Sequence, residues 1–282
     1  MTVREILLPW DSQPQEAVFP AQRWVDQGLV FAYQGASSRA DWGRLGIDVG
    51  GGHTTDGNTR PAAVRASALG VGGNYTGSTG QRWSVAGSDG NTWIANPKSV
   101  TLVSTLATDN LSDAQTALGL SSFGTVPLYR IFVSGGQIGL QLRDDSGAFI
   151  NLFAGSLTAG DAVTVVARIT AATSTVFVGG AVASDTTPAG SFTFYGPTLG
   201  YLARGAGVEQ PWDGWLGDQF IFDTALTDEE CLELRSNPFA VWEERRIWAP
   251  VSAAPAAPNI TAVYADSVTT SSVTPRVTLD FA

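Results

Sequence analysis

Two carboxylates at alternate positions of one strand share a face and could serve as acid and nucleophile on a glycosidic bond. No Glu-x-Asp-x-x-Glu spacing occurs in this chain. Asp144 and Asp145 are adjacent, so they would face opposite ways on a strand, and the Ser146-Gly147 that follows marks a turn. Glu229, Glu230 and Glu233 fall in a helical pattern. The sole histidine, His53, lies in the glycine-rich stretch 49–57, and no Gly-x-Ser-x-Gly elbow supplies a nucleophile for it. That stretch also lacks the lysine of a phosphate-binding loop. Cys231 is the only cysteine, which excludes an intrachain disulfide and a cysteine-based zinc site; it reads as a small buried hydrophobe. Trp212 and Trp215 could stack on sugar rings; Trp215 sits in a strand pattern that favours the core, while Trp212, after Pro211, stays open between core and glycan contact. The residue types thus predict no catalytic set and no enzyme.

The positioning elements are short strands. Of 282 residues, 16 are basic and 26 acidic, a net charge of −10, and 32 are glycine. Lys98 is the only lysine and the arginines are scattered, so a phosphate-neutralising surface, and with it nucleic acid, is not expected. The opening segment has three consecutive apolar residues, Ile6-Leu7-Leu8, too few for a signal-peptide core, and no 18-residue apolar run predicts a membrane span. β-type runs at 29–33, 81–85, 99–106, 128–133, 137–142, 162–169, 175–178 and 191–195 alternate with turns such as Ser88-Asp-Gly-Asn91, Ser134-Gly-Gly136 and Asp144-Asp-Ser-Gly147. Within 99–106, alternation predicts a half-buried antiparallel strand. Many short strands with regular turns predict an all-β, two-sheet jelly-roll sandwich. Two short helices are expected. One lies near Ser112–Gln115, at capping-box spacing. The other starts at Thr227, with Glu230 reaching back to cap it and Leu226 and Cys231 as staple, and stops at Asn237-Pro238.

Both ends lie outside the domain expected at 28–236. Residues 1–27 read as an N-terminal docking arm, 237–258 as a Trp/Arg- and Pro-rich linker, and 259–282 as a β-hairpin tail. Trp10, Trp24, Trp242 and Trp248 lie in these flanks, and apolar area of that kind does not stay solvated. A lone hairpin is marginal in water. The expected assembly contacts are therefore Leu7, Trp10, Phe19, Trp242, Trp248, Ile260, Tyr264, Val277, Leu279 and Phe281.

The stretch Asp213-Gly-Trp-Leu-Gly-Asp-Gln-Phe-Ile-Phe222, with the capped segment through Leu234, resembles the terminal strand and helix of laminin G-like, concanavalin A-like jelly rolls. The strand-turn-strand of 162–180 matches the same family. Asn237-Pro-Phe-Ala-Val-Trp242 with Arg245-Arg-Ile-Trp248, and the opening Gly28-Leu-Val-Phe-Ala-Tyr33, resemble such proteins of tailed bacteriophages and prophages; 258–281 resembles the first two strands of a fibronectin type III-like sandwich. The resemblance implies a structural protein on the virion surface, at head or tail. Its partners would be other virion proteins and further copies of itself in a trimer or dimer. The alternative is an adhesin for host-surface glycan; a polysaccharide-degrading enzyme ranks third. The family also implies that calcium is the one ion to consider, with Asp89, Asn91, Asp109, Asn110, Asp144 and Asp145 as oxygen donors, although none forms an Asp-x-Asp-x-Asp-Gly loop. No other cofactor is expected.

Overall fold

The computed structural model describes residues 22–33, 63–77, 83–84, 94, 96–122, 125–191, 196–200, 202–204, 207–242, 263–265 and 275–277. The chain divides into two units, Met1–Arg245 and Arg246–Ala282. In the first, one sheet runs in the order β12 (Ala181–Asp185), β11 (Ser174–Val178), β10 (Val163–Ile169), β5 (Val100–Thr108), β16 (Asp213–Phe222), β3 (Gly70–Thr76), β2 (Ala63–Ser67). A further strand, β1 (Leu29–Tyr33), also pairs with β16. The second sheet runs β4 (Trp83–Ser84), β13 (Gly196–Leu199), β6 (Gln115–Ser122), β7 (Thr125–Ser134), β8 (Gln137–Arg143), β9 (Phe149–Ser156). A small hairpin of β14 (Leu202–Arg204) and β15 (Gly207–Glu209) is hydrogen-bonded into neither sheet. Neighbouring strands are antiparallel. This is the all-β jelly-roll sandwich that the alternating runs predict. The run 191–195 lies largely outside the described residues, and Ser191 is not in a strand.

β16 organises the larger sheet because it carries two partners along one edge. Asp213–Leu216 pairs with β3, Gln219–Phe222 with β1, and the register against β5 breaks between Leu216 and Gln219. The break falls at Gly217-Asp218. The bulge redirects the alternation, so that Leu216 and Ile221 enter the layer between the sheets while Phe220 and Phe222 join a second apolar layer outside. The Trp215 ring lies where two Cβ atoms would otherwise be. A methyl group on Gly72 would overlap the Leu216 carbonyl oxygen and the indole nitrogen, and one on Gly217 would overlap the ring and the Thr105 hydroxyl.

That outer layer explains where the alternation reading of 99–106 fails. β5 is buried along its whole length, not on one face alone. Val103 faces the helical side, where α1 (Gln22–Asp26), α2 (Asp228–Ser236) and a 3-10 turn (Pro238–Val241) close over Val166, Phe177, Phe220 and Phe222. α2 has the expected capping box: Thr227 Oγ1 accepts from the Glu230 N–H, and the Glu230 carboxylate accepts from the Thr227 N–H at 2.9 Å. Leu226 and Cys231 are buried beneath it, and burial pushes the Cys231 thiol up to about 12, so it stays protonated at neutral pH. Arg23 of α1 donates two 2.8 Å hydrogen bonds to Glu233 of α2, while the Trp24 indole donates to the Ala240 carbonyl at 2.8 Å and packs edge-on against Phe222.

The helix expected at Ser112–Gln115 is absent. The Asn110 side chain accepts from both the N–H and the hydroxyl of Ser112, which holds a turn, and Gln115 begins β6. Short polar side chains that bond the backbone two residues on compete with the helix at its first turn, and here they win. Gln115 is instead a buried tie: its side chain donates to the Asn110 carbonyl and accepts from the Asp213 N–H at 2.8 Å.

In the second unit, β17 (Val263–Ala265) pairs with β18 (Pro275–Val277), with Val263 opposite Val277 and Tyr264 opposite Arg276. These strands fall within the β-hairpin tail expected at 259–282; the rest of that tail lies outside the described residues.

Gly72→Ala should destabilise the first unit by about 1–3 kcal/mol, because the added methyl meets β16 backbone that cannot yield. Gly180→Ala, where a Cβ meets nothing within 4 Å, should leave the urea midpoint unchanged. Equal midpoints for both variants would contradict the packing described.

Candidate functional site

Alternation along the smaller sheet sends Ile131, Val133, Ile138, Leu140, Leu142, Leu152 and Ala154 into the core. The positions between them form a grid on the outer face. In register across β7, β8 and β9 stand Phe132–Gly139–Phe153 and Arg130–Gln141–Asn151, with Arg143–Phe149 beyond them on β8 and β9. Gly139 is required where it is, since a Cβ there would overlap the Leu152 carbonyl, and the Phe132 and Phe153 rings on either side of it meet at 5.2 Å.

The middle row is a directed chain of hydrogen bonds. Arg130, only 5% exposed, donates from Nε to Gln141 Oε1 at 2.8 Å and from a terminal nitrogen to Thr116 Oγ1 at 2.8 Å and to Gln210 Oε1. Guanidinium is donor only, so Gln141 must turn its oxygen to Arg130 and its NH₂ outward. That NH₂ donates to Asn151 Oδ1 at 2.6 Å. The polarity then passes on, and exposed Asn151 presents its own NH₂ to solvent as a donor. Gln210, which anchors the other end, is the one non-glycine with positive φ (52°) among the described residues, held there by Arg130 and by its carbonyl accepting from the Thr116 N–H at 3.1 Å. β14 of the small hairpin packs on β6 and β7, toward the Arg130 end of the row. Among the described residues, none of the helices or the small hairpin packs on the β8–β9 end.

At that end the Arg143 guanidinium lies over the Phe149 ring at 4.9 Å, and Phe149 is 43% exposed. Arg143 Nε is buried and makes no hydrogen bond. The acids next to it are engaged elsewhere. Asp144 accepts from the Ser146 hydroxyl at 2.6 Å and the Ala148 N–H at 2.9 Å; Asp145 accepts from Lys98 at 2.9 Å and the Ser191 N–H at 2.6 Å. The Ser146 bond holds the Asp144 carboxyl below its ordinary range, and Lys98 does the same for Asp145.

The residues singled out from sequence are placed as follows. Trp212 is fully buried between the sheets, its indole donating to the Trp215 carbonyl at 3.3 Å, so it has no ring face to offer a sugar; the glycan contact expected there is corrected to a core residue. Pro211 lies just before β16, which begins at Asp213, and says nothing of exposure. Trp215 is core, as expected. Trp242 is held by its own unit: the indole donates to Asp218 Oδ2 at 2.7 Å and the ring packs on Phe220. Tyr264 and Val277 lie in the β17–β18 hairpin. Leu7, Trp10, Phe19, Trp248, Ile260, Leu279, Phe281 and His53 lie outside the described residues, as do Asp89 and Asn91. Of the other oxygen donors, Asp109 pairs with Arg65 at 2.6 Å and Asn110 is taken up by its turn. Among the described residues no three His, Cys, Asp or Glu side chains gather as metal ligands.

Sequence reading missed Arg130, Gln141, Arg143, Phe149 and Asn151. The turn residues 144–147 mark the hairpin but not its register: Asp144 pairs with Ala148 across a three-residue loop, and that sets Arg143 opposite Phe149 and Gln141 opposite Asn151.

The architecture defines the chain as an all-β jelly-roll sandwich. No family model matches the sequence, and no curated protein matches it. Among solved structures, the binding domain of botulinum neurotoxin serotype D shares the fold at a TM-score of 0.51 and 12% identity, over 76% of this chain and 52% of that one. The chain thus spans about half the length of that domain. The CBM40 of the Ruminococcus gnavus IT-sialidase, solved with α2,3-sialyllactose, overlaps at a TM-score of 0.43 and 17% identity, over 49% of this chain and 82% of that one. The NanB sialidase of Streptococcus pneumoniae overlaps at 0.46 and 23%, over 56% and 27%. These last two overlaps are too partial to define a shared fold.

Gln141→Leu should leave Arg130 Nε buried without an acceptor and cost about 1–3 kcal/mol, whereas Gln141→Glu, which keeps an acceptor, should not. Urea unfolding of both variants reads the difference, and a harmless leucine would dismantle the directed chain.

Proposed function

We propose that the sandwich is a non-enzymatic carbohydrate-binding module whose contact surface is the outer face of β8 and β9. The observation that carries this is an exposed aromatic, Phe149, with the Arg143 guanidinium against its ring and an outward amide donor on Asn151, its neighbour on the same face of β9. Sugars present an apolar C–H face together with a rim of hydroxyl acceptors, and a rigid sheet holding a ring beside fixed donors matches both. The neurotoxin likeness supports a fold that hosts binding domains, while the site itself supplies the argument for sugar. The non-enzymatic reading is supported by the acids near the shelf, Asp144 and Asp145, being committed to the turn and to Lys98.

On a glycan array, the full chain should bind oligosaccharide, and Phe149→Ala should weaken that binding about tenfold, the loss of one stacking contact of ordinary strength. Absence of any sugar binding by the wild-type chain would overturn the proposal.

A second reading concerns display. Among the described residues the second unit has one hairpin, and an isolated two-stranded hairpin is marginal in water. Together with the phage-like residues 237–248, this supports a virion surface component, in head or tail, with the ends of the chain joining neighbouring subunits and the sandwich displaying its sugar shelf outward. The full chain should then run as a dimer or trimer in multi-angle light scattering; a strict monomer across the micromolar range counts against assembly through its own ends.

A further inference from the structure

We propose that two copies of this chain associate edge to edge through β12, the border strand of the larger sheet, about a two-fold axis at Ala183. Among the described residues, β12 has one ladder partner, β11. The loop between them is Gly179-Gly180, so Val178 and Ala181 close a two-residue hairpin as a hydrogen-bonded pair. Bonding then alternates along the ladder. Ala181, Ala183 and Asp185 direct N–H and C=O toward β11, while Val182 and Ser184 direct theirs away from it. The Thr175 and Ser184 hydroxyls meet at 3.1 Å, the close side-chain approach of a pair without ladder bonds. The outer edge of β12 therefore offers the N–H and C=O of Val182 and Ser184. Both residues are exposed, Val182 at 54%.

Sheet edges that stay unpaired are ordinarily protected by a charge, a proline, a bulge or brevity. The other described borders of the two sheets are guarded in this way or buried. β2 carries Arg65, β4 is two residues long, β1 is buried throughout, and β9 bulges at Ala154, which its register against β8 skips. β12 has no such device: Ala181-Val-Ala-Ser184 is uncharged, its register is unbroken, and Asp185 comes only at its end. A second copy completes this edge. With the axis at Ala183, Val182 faces Ser184 of the other copy and the reverse, so every outward group of the strand is bonded. An axis at Val182 or Ser184 would pair only one of the two within the strand. The small Ala183 side chains meet at the axis. Asp185 falls opposite Ala181 of the other copy, which puts the two Asp185 Cα atoms about 14 Å apart, beyond the screening length at physiological salt. A chain of net charge −10 thus meets itself here without setting acid against acid.

The interface is small, so the full chain should dimerise with about micromolar strength, read by sedimentation equilibrium between about 1 and 200 micromolar. Val182→Lys sets like charges on diagonal positions about 7–8 Å apart across the axis. It should weaken dimerisation by about tenfold or more, with the thermal midpoint of the dilute protein unchanged because the site is exposed. Two cysteine variants read the register. Ala183→Cys places its thiols on a pair whose Cα atoms are about 4.5 Å apart, within disulfide reach, and brief oxidation with diamide should give a covalent dimer. Ser184→Cys places them on a diagonal of about 7–8 Å, beyond that reach, and should stay largely uncrosslinked. Cys231 is buried and does not compete. A monomer at every concentration overturns this inference together with assembly through the chain ends. Self-association that ignores Val182→Lys, or failure of Ala183→Cys to cross-link faster than Ser184→Cys, overturns this inference alone. None of these outcomes bears on the carbohydrate reading, which the glycan array tests by itself.

Discussion

The structure depends on one close approach, that of β3 to β16 at Gly72, with the Trp215 indole filling the space that a side chain would need. Because β16 must leave β3 and take up β1 within ten residues, its backbone bulges at Gly217-Asp218 and re-aims the side chains that follow. Phe220 and Phe222 are thereby sent to the outside of the larger sheet, where bare aromatic rings would face water. The α1, α2 and 3-10 segments exist in the fold to cover them. The capping box at Thr227 and the Arg23–Glu233 bond fix that cover in place.

The two outer faces of the sandwich are thus treated differently. The larger sheet is covered by helices and carries apolar residues on both sides. Among the described residues no helix covers β8 and β9 of the smaller sheet, whose outward side chains are polar or aromatic on either side of Gly139. There, the buried cation Arg130 acts as a fixed origin of hydrogen-bond direction, and the direction reaches solvent at Asn151. A chain of amides anchored on a donor-only group has one low-energy orientation, so the donors it displays are set before any ligand arrives. That is preorganisation in a literal sense, with no reorganisation left for binding to supply.

Much of the fold was legible from residue order. The strands at 29–33, 128–133, 137–142, 162–169 and 175–178 follow from alternation and turn residues, and α2 from its capping box. These are local signals carried by neighbours in the chain. Where local signals competed, sequence reading failed: Ser112 and Gln115 have capping-box spacing, but Asn110 captures the turn first. Trp212 was undecidable because a proline before an aromatic says nothing about which layer the ring will enter. The site was less legible than the fold, since Arg130, Gln141 and Asn151 lie on three different strands and none is unusual alone.

The sequence by itself determined an acidic all-β chain without a cysteine pair, the location of its turns, and the helix that closes it, because each rests on contacts within a few residues. Only the tertiary structure decided that β5 is buried on both faces, that Trp212 is core, and that Arg143 is left without an acid partner. Those outcomes depend on which strands become neighbours across the sheet and on what covers each face. Both are set by packing between residues far apart in the chain, whose meeting no local pattern encodes.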